Sequence, residues 1–585
     1  MPHLLTSRIQ RLERQSNQFA QWRVVVVVGG IIGSLGAFYA FQWRIAALLL
    51  VATVFGFAGL VTLHRRVDHA LLQLRLWQKL KQTHRARQTL DWQHIPTPPN
   101  MAHDPQHPFE LDIDIDDLHR LLDTSVSLEG SQRLRAWLLN QAPDLATIQQ
   151  HQQWVQTLQP LGLFRDKLTL QAWLTGSEQH INGTRLQTWF ETEMEDVRQP
   201  VRASLILTTC TAILFVLSGA LGLPPLWLLS FGGYMWIRAR HWRPVAELSG
   251  QAINLYGVFR RMQRIFGYLE HHRYHELNTL LEPFQTEPPS RYFRRLNRIL
   301  TAISVQQNPL LGFAINLVVP WDLFFADRLN RCRGAIAEHM PTWLGTWYEL
   351  EALNALANFA DLHPDYSYPM VRAEGGLAAH KMGHPLIASA HKVCNDFHLD
   401  RLGEVVIITG SNMAGKSTFL RTLGVNLVLA YAGAPVNAAQ FETGLYRLYS
   451  CIRVTDSLND GISYFYAEVK RLKGLLNHLG AQDGLPVFFL IDEIFRGTNN
   501  RERLIGSRSF IKALVQQNGF GLIATHDLEL VKLADDMPTI HNAHFREEVQ
   551  AGRMVFDYTL RQGPCPTTNA LKIMAQEGLP IEDEA

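Results

Sequence analysis

Three short stretches of this chain carry side chains able to do chemistry together. The first, Gly410-Ser411-Asn412-Met413-Ala414-Gly415-Lys416-Ser417, fits the pattern G-x-x-x-x-G-K-S/T. It follows the strand-forming run Val405-Val406-Ile407-Ile408 and opens an apolar helical stretch from Lys416 to Tyr431. A glycine-rich turn between a strand and a helix start aims backbone N–H groups and the positive helix end at one spot, where polyphosphate is the natural occupant. The expected phosphate cradle is Gly410 to Ser417 together with Thr418, with Lys416 reaching the β- and γ-phosphates and the Ser417 hydroxyl ligating Mg²⁺. The second stretch is the apolar run Val487 to Ile491, ending in Asp492-Glu493. Asp492 is expected to hold the Mg²⁺ ion and Glu493 to polarise an attacking water as general base. The third is Phe520 to Ala524, followed by Thr525-His526-Asp527. His526, at a third strand end, is expected to contact the γ-phosphate or the water and to report whether ATP is intact.

The elements that must position these groups belong to a long chain. Its 585 residues suffice for two to four domains with their own cores. At 47% hydrophobic and 18% charged, its apolar excess gathers near the N-terminus and around residue 220. A net charge of +2 neither demands nor excludes a nucleic-acid partner. Cys210, Cys332, Cys394, Cys451 and Cys565 are widely spaced with no C-x-x-C, which points to reduced thiols in a cytosolic setting and no zinc site.

Val24–Phe41 and Ile45–Leu63 are uncharged apolar runs, each about long enough to span a bilayer, and they predict a transmembrane helical hairpin in an N-terminal region 1–92. No small-residue cleavage site follows the first run, against a signal peptide. Residues 203–221 and 226–237, joined at Gly222-Leu223-Pro224-Pro225, predict a second hairpin. Its second arm is short, and a tilted or re-entrant arm or a core helix is the alternative. Leu310–Val319 is shorter again and reads as a buried soluble segment. Arginines and lysines flank both hairpins on their outer ends while the connecting turns carry almost no charge. Both hairpins are thus expected to enter from the cytoplasm, giving a multi-pass inner or plasma membrane protein with a cytoplasmic phosphate loop.

Residues 93–114 form an expected linker, rich in proline at 96–99. Residues 115–364 are expected to be helical and to contain the second hairpin, and residues 365–585 alternate strands with helices. Phe545–Val549 and Met554–Leu560 around Ala551-Gly552 predict a β-hairpin. Phe259-Arg260-Arg261 and the arginines of 291–298 read as solvated helix faces, with nucleic-acid contact as the alternative.

In order along the chain, the site motifs resemble those of the MutS family of DNA mismatch repair ATPases, within the ABC-type ATPase class. Thr409 to Arg421 is similar to the family loop TGPNMGGKSTYLR, Asp492 to Asn499 to DELGRGTS, Ala524-Thr525-His526 to TTH, and Ser463 to Glu468 to STFMVE. Gly383-His384-Pro385-Leu386 and Asn395-Asp396 match the segment ahead of the loop. Leu121-Leu122-Asp123 and Gly130 to Leu139 resemble, more weakly, the opening of the family's helical core and lever domain. Ser411 and Ala414 replace the usual proline and glycine of the loop. No mismatch-reading domain or Phe-x-Glu wedge is recognised in the N-terminal region, which holds the apolar hairpin instead. The second hairpin falls about where the family places its DNA clamp.

The resemblance implies a homodimer that sandwiches ATP, with Ser463 acting in trans on the γ-phosphate held by the partner's loop and Asn499 near the dimer seam. The expected architecture is multi-domain: transmembrane helical hairpins, an all-α core and lever region, and an α/β ABC-type P-loop ATPase domain. The expected activity is a membrane-anchored ATPase working as a dimeric switch, with membrane lipid and duplex or branched DNA as partners. The alternative is a transport or membrane-remodelling ATPase with no DNA role. Against transport stand the missing L-S-G-G-Q signature and the lack of intramembrane charge.

Overall fold

Val405-Val406-Ile407-Ile408 has no polar face, so the strand it forms needs cover on both sides. The computed structural model describes residues 2–566 other than 175–179, 193–195, 306–307, 412, 453–463, 482–483, 496–497, 516 and 551–552. The chain forms two compact units, Met1–Arg85 with Leu163–Thr346, and Ala86–Gly162 with Trp347–Ala585.

The second unit holds all the strands described: β1 (Met370–Val371), β2 (Leu377–Met382), β3 (Asn395–Leu399), β4 (Val405–Thr409), β5 (Gln440–Thr443), β6 (Arg447–Cys451), β7 (Val487–Asp492), β8 (Gly519–Ala524), β9 (Ile540–His544), β10 (Glu547–Gln550), β11 (Arg553–Phe556) and β12 (Arg561–Gln562). The main sheet runs β12-β9-β4-β8-β7-β6, parallel throughout except for β12. Every residue of β4, β7 and β8 is buried. Leu472, Leu475 and Leu479 of the helix Tyr464–Leu479, with Ile511 and Leu514 of the helix Asn500–Val515, join the core formed by Val405, Ile407, Phe489, Ile491 and Ile523. A smaller sheet, β1-β5-β2-β3, is mixed. β10 and β11 pair antiparallel about residues 551–552, as the hairpin pattern predicts.

The domain expectations need redrawing. Residues 115–364 do not stay together: 115–162 and 347–364 belong with the α/β part. One reason is the carboxylate of Glu351, which accepts from Val126 N at 2.9 Å, Ser127 N at 3.2 Å and the Ser127 hydroxyl. Ser127 in turn caps the helix Leu128–Leu138 by accepting from Gly130 N. The expected linker 93–114 is packed over its second half: Phe109, Asp112 and Ile113 are buried, because apolar and acidic side chains alternate there and each kind finds its own partner.

The first unit is helical among its described residues. Two aromatic groups fill its core, Phe266 with Phe284, Phe293 and Trp343, and Phe259 with Trp189 and Phe190. The expected apolar arms lie inside longer helices, Pro2–Tyr39, Trp43–Thr89, Arg198–Leu221 and Trp227–Asn254. The first three are long and apolar enough to cross a membrane; the fourth carries Arg238, Arg240 and Arg243 and is not among them. Leu310–Val319 is not buried, contrary to expectation. The helix Pro309–Val318 turns Gly312 and Asn316 inward and leaves Leu310, Phe313 and Val318 exposed, because Asn316 is engaged by its neighbours and the apolar side chains are not. Arg261 is buried with its Nε on Ala172 O, whereas Arg291, Arg294, Arg295 and Arg298 share one exposed helix face.

Glu351 makes the packing of the second unit pH-sensitive. Burial, above all, pushes its carboxyl up to about 7, against three hydrogen bonds that favour the anion. A carboxyl raised on folding adds stability that is complete below its unfolded value and is lost as pH rises through its folded value. The stability of the wild type relative to Glu351→Gln is therefore expected to decline as pH rises from 4.5 through about 7. Thermal unfolding of both proteins across that range checks it; a pH-independent difference would contradict the assignment.

Candidate functional site

Parallel pairing sets the site. Ile408 of β4 and Asp492 of β7 are both in register with Ala524 of β8, which lies between them. The chain therefore leaves β7 and β8 at one level and β4 one residue later, after Thr409, which still pairs with His544 of β9. Glu493 N donates to Ala524 O at 2.8 Å and Thr525 N to Ile408 O at 2.9 Å, locking that level. The turn after β4 begins at Gly410 with φ 140°, where an added Cβ would lie 2.5 Å from Phe545 O. It ends at Gly415 with φ 105°, ahead of the helix Lys416–Ala432. Neither position accommodates a side chain without strain.

The expected residues sort as follows. Lys416 is 2% exposed, and its Nζ donates to Gly410 O and, at 2.8 Å, to Ser411 O. Ser417 Oγ donates to Asp492 Oδ2 at 2.6 Å. His526 Nδ1 lies 2.9 Å from Glu493 Oε1. The structure thus brings Gly410, Ser411, Gly415, Lys416, Ser417, Asp492, Glu493 and His526 into one constellation. Ala414 is buried beneath the turn, while Met413 and Thr418 are exposed on it. Asn499 caps the helix Asn500–Val515 by accepting from Glu502 N at 2.9 Å. Asn412 and Ser463 fall outside the described residues.

The donor set fits a phosphate–Mg²⁺ group. A hydroxyl beside a carboxylate is a hard-oxygen pair of the kind Mg²⁺ takes. A buried ammonium and a helix N-terminus supply the opposite charge for phosphate. The Ser411 hydroxyl oxygen is shielded from solvent and has no protein hydrogen-bond partner. Glu493 (φ 63°) and Phe495 (φ 58°) are both left-handed without being glycine, backbone strain of a kind that gathers at functional sites.

A cavity of about 450 Å³ adjoins the turn at Gly415 and Thr418. Phe419, Phe545, Tyr558 and His384 line it. Burial pushes the His384 imidazole down to about 4, so it is neutral at physiological pH. Asn395 closes one side by donating to Tyr558 O at 3.0 Å and accepting from Leu560 N at 2.7 Å.

Two supports were not legible beforehand. Glu468, buried near the start of the helix Tyr464–Leu479, accepts from Phe495 N, so that helix holds the strained turn after Asp492-Glu493. Asp112, in the packed segment before the first helix of this unit, accepts from Ser450 Oγ at 2.6 Å and Ile452 N at 3.2 Å. Arg471 of the helix Tyr464–Leu479 donates to Pro108 O at 2.7 Å and to Ser450 O at 3.2 Å. Asp114 then meets Arg421, on the helix that starts at Lys416, at 3.5 Å. Only the alternation Glu110-Leu-Asp112-Ile-Asp114-Ile-Asp116 hinted at such a role.

Residues 406–583 match the family model described as MutS domain V. The match begins inside β4 and takes in all three strand ends of the site. It supports kinship of this part of the chain with the MutS family.

Glu468 is expected to position the turn rather than to touch a nucleotide. Glu468→Ala should lower turnover about tenfold, equivalent to about 1.4 kcal/mol of lost positioning, and leave nucleotide affinity close to wild type. Steady-state kinetics with a separate binding titration checks this; parallel loss of affinity would argue that Glu468 merely supports the fold.

Proposed function

We propose that this protein is a MutS-like ATPase of the ABC type, anchored in a membrane, that hydrolyses Mg-ATP and switches conformation as a dimer. The observation that carries the reading is the joining of Ser417 to Asp492 and of Glu493 to His526 at neighbouring strand ends beside Lys416. Backbone amides of the turn and the Lys416 ammonium bind and orient the β- and γ-phosphates. Ser417 and Asp492 would hold Mg²⁺, which when bound neutralises phosphate charge. Glu493 takes the proton of the attacking water, and His526 fixes which carboxylate oxygen faces it. The neutral aromatic cavity beside Gly415 suits the adenine ring.

The dimer and the trans role of Ser463 rest on the family resemblance. Charge-assisted bonds to a γ-phosphate across a seam exist only while ATP is intact, so nucleotide state would set dimer geometry. Membrane anchoring is supported by three long apolar helices whose side chains face outward. The basic flanks orient them with the ATPase unit in the cytoplasm. A second reading, contact with duplex or branched DNA, is favoured by the exposed row Arg291, Arg294, Arg295 and Arg298. It requires ATPase stimulation by DNA, lost together with salt-dependent binding when those arginines are neutralised.

Lys416→Ala is expected to abolish ATP binding. Glu493→Gln is expected to bind ATP, lose at least about a hundredfold in turnover and accumulate as a dimer. Turnover assays with sizing of the detergent-solubilised protein check both, and wild-type turnover in Glu493→Gln would remove Glu493 from the mechanism. Deletion of residues 1–66 should weaken membrane attachment and spare the ATPase; release of the whole population into the soluble fraction would argue that residues 203–237 do not insert.

A further inference from the structure

The helix Pro309–Val318 has its polarity reversed. In a helix facing water, Asn316 would point outward and Leu310, Phe313 and Leu317 inward. Here Gly312 and Asn316, four residues apart, form the inward face, and Asn316 is 3% exposed. The opposite face presents Leu310 (83% exposed), Phe313 (62%) and Val318 (70%) with no charged residue in the helix. A polar residue turned inward and an apolar face turned outward is the arrangement that hydrocarbon, not water, stabilises.

That face continues one that is already apolar. Tyr234, in the helix Trp227–Asn254, donates its hydroxyl to Asn316 O, and Asn316 Oδ1 accepts from Asp322 N at 3.0 Å. Arg238, one turn beyond Tyr234, pairs with Asp322 at 3.0 Å. The helices Arg198–Leu221 and Trp227–Asn254 show the same reversal: Thr211 and Ser230 bond each other at 2.8 Å between them, while Ile206, Phe215, Val216 and Leu229 are exposed.

Length and charge fix the depth. Ten residues of helix reach about 15 Å, half of a hydrocarbon core of about 30 Å. After a bend of 91° the chain enters the helix Trp321–Ala337, where Asp327, Arg328, Arg331 and Arg333 oppose insertion. The bent pair is therefore not one span. Exposed Trp236 and Trp242 and the Arg238–Asp322 pair lie near the bend along these elements, the residue types that gather at a membrane–water boundary.

We infer that residues 309–318 form a short interfacial helix, seated in the acyl chains of the leaflet from which the Arg198–Asn254 hairpin enters. The occupant of its outer face is lipid, and the backbone carbonyl of Asn316, held by the Tyr234 hydroxyl, is the tether to the hairpin. This inference rests on the membrane reading of that hairpin.

The test uses the full chain in vesicles of phosphatidylcholine and phosphatidylglycerol. Cys394 and Cys565 are replaced by serine, leaving Cys210, exposed on the helix Arg198–Leu221, as the reference site; Cys332 and Cys451 are buried and stay. Nitroxide labels are then placed singly at Phe313→Cys, Val318→Cys and Leu402→Cys in a background that also lacks Cys210, and accessibility to oxygen and to a water-soluble nickel chelate is measured. The oxygen-to-nickel ratio at 313 and 318 is expected to match that at Cys210 and to exceed that at 402 several-fold. A ratio at 313 and 318 like that at 402, with Cys210 still lipid-like, overturns this inference and leaves the hairpin in place. A water-like ratio at Cys210 itself overturns the membrane reading and this inference with it. Labels at 313 and 318 shielded from both reagents show a protein partner, such as a second copy, and overturn the assignment to lipid.

Discussion

The carbonyl of Phe545 lies where any side chain on Gly410 would have to be. This one close approach constrains the whole α/β unit. It follows from β9 lying parallel to β4, with Thr409 opposite His544, so that the chain leaving β9 crosses the start of the turn Gly410–Gly415. Phe545 N bonds Thr409 O at 2.9 Å and fixes the crossing. With that floor in place the turn can only rise toward Gly415, and the helix it opens delivers Lys416 and Ser417 to the level of Asp492. The same crossing puts Phe545 on the wall of the neighbouring cavity, so a single backbone contact shapes both the glycine-bounded turn and the pocket beside it.

Two carboxylates far from the turn determine how firmly this geometry is held. Asp112 and Glu468 both act on the region around the helix Tyr464–Leu479, one from the packed segment before residue 115 and one from the helix itself. Asp112 holds the end of β6 and, with Pro108, the guanidinium of Arg471. Glu468 holds the strained turn that carries Glu493. Movement of this helix would reach Phe495, two residues past Glu493, through the hydrogen bond from its backbone N–H to the Glu468 carboxylate.

The helical unit obeys a different rule. Its aromatic core is ordinary, yet around the Arg198–Asn254 hairpin the polar side chains find polar partners inside the protein and the apolar ones face out. Thr211 with Ser230, Tyr234 with Asn316 and Arg238 with Asp322 form a ladder of polar contacts along the hairpin. Such contacts hold helices together where apolar packing has no advantage over the surroundings. The ladder ends at a charged pair beside exposed tryptophans, which is where a change of solvent would be expected.

By itself the sequence determined whatever depends on neighbours along the chain. The strand-turn-helix around Gly410, the acidic end of β7, the histidine after β8, the β10–β11 hairpin and the long apolar helices all follow from local pattern, because a strand's hydrophobic run and a helix's period are written in consecutive residues. Tertiary structure decided what depends on which distant surfaces meet. That β8 lies between β4 and β7, that Glu351 ties residues 126–127 to the α/β unit, and that Asp112 is buried under Arg471 could not be read from spacing. Leu310–Val319 makes the point most sharply: a largely apolar run of ten residues looks the same in a core and on an exposed face, and only the burial of the Asn316 side chain against Gly312 O and Asp322 N tells the two apart. Composition states that a segment avoids water, and only three-dimensional packing states what it is turned toward instead.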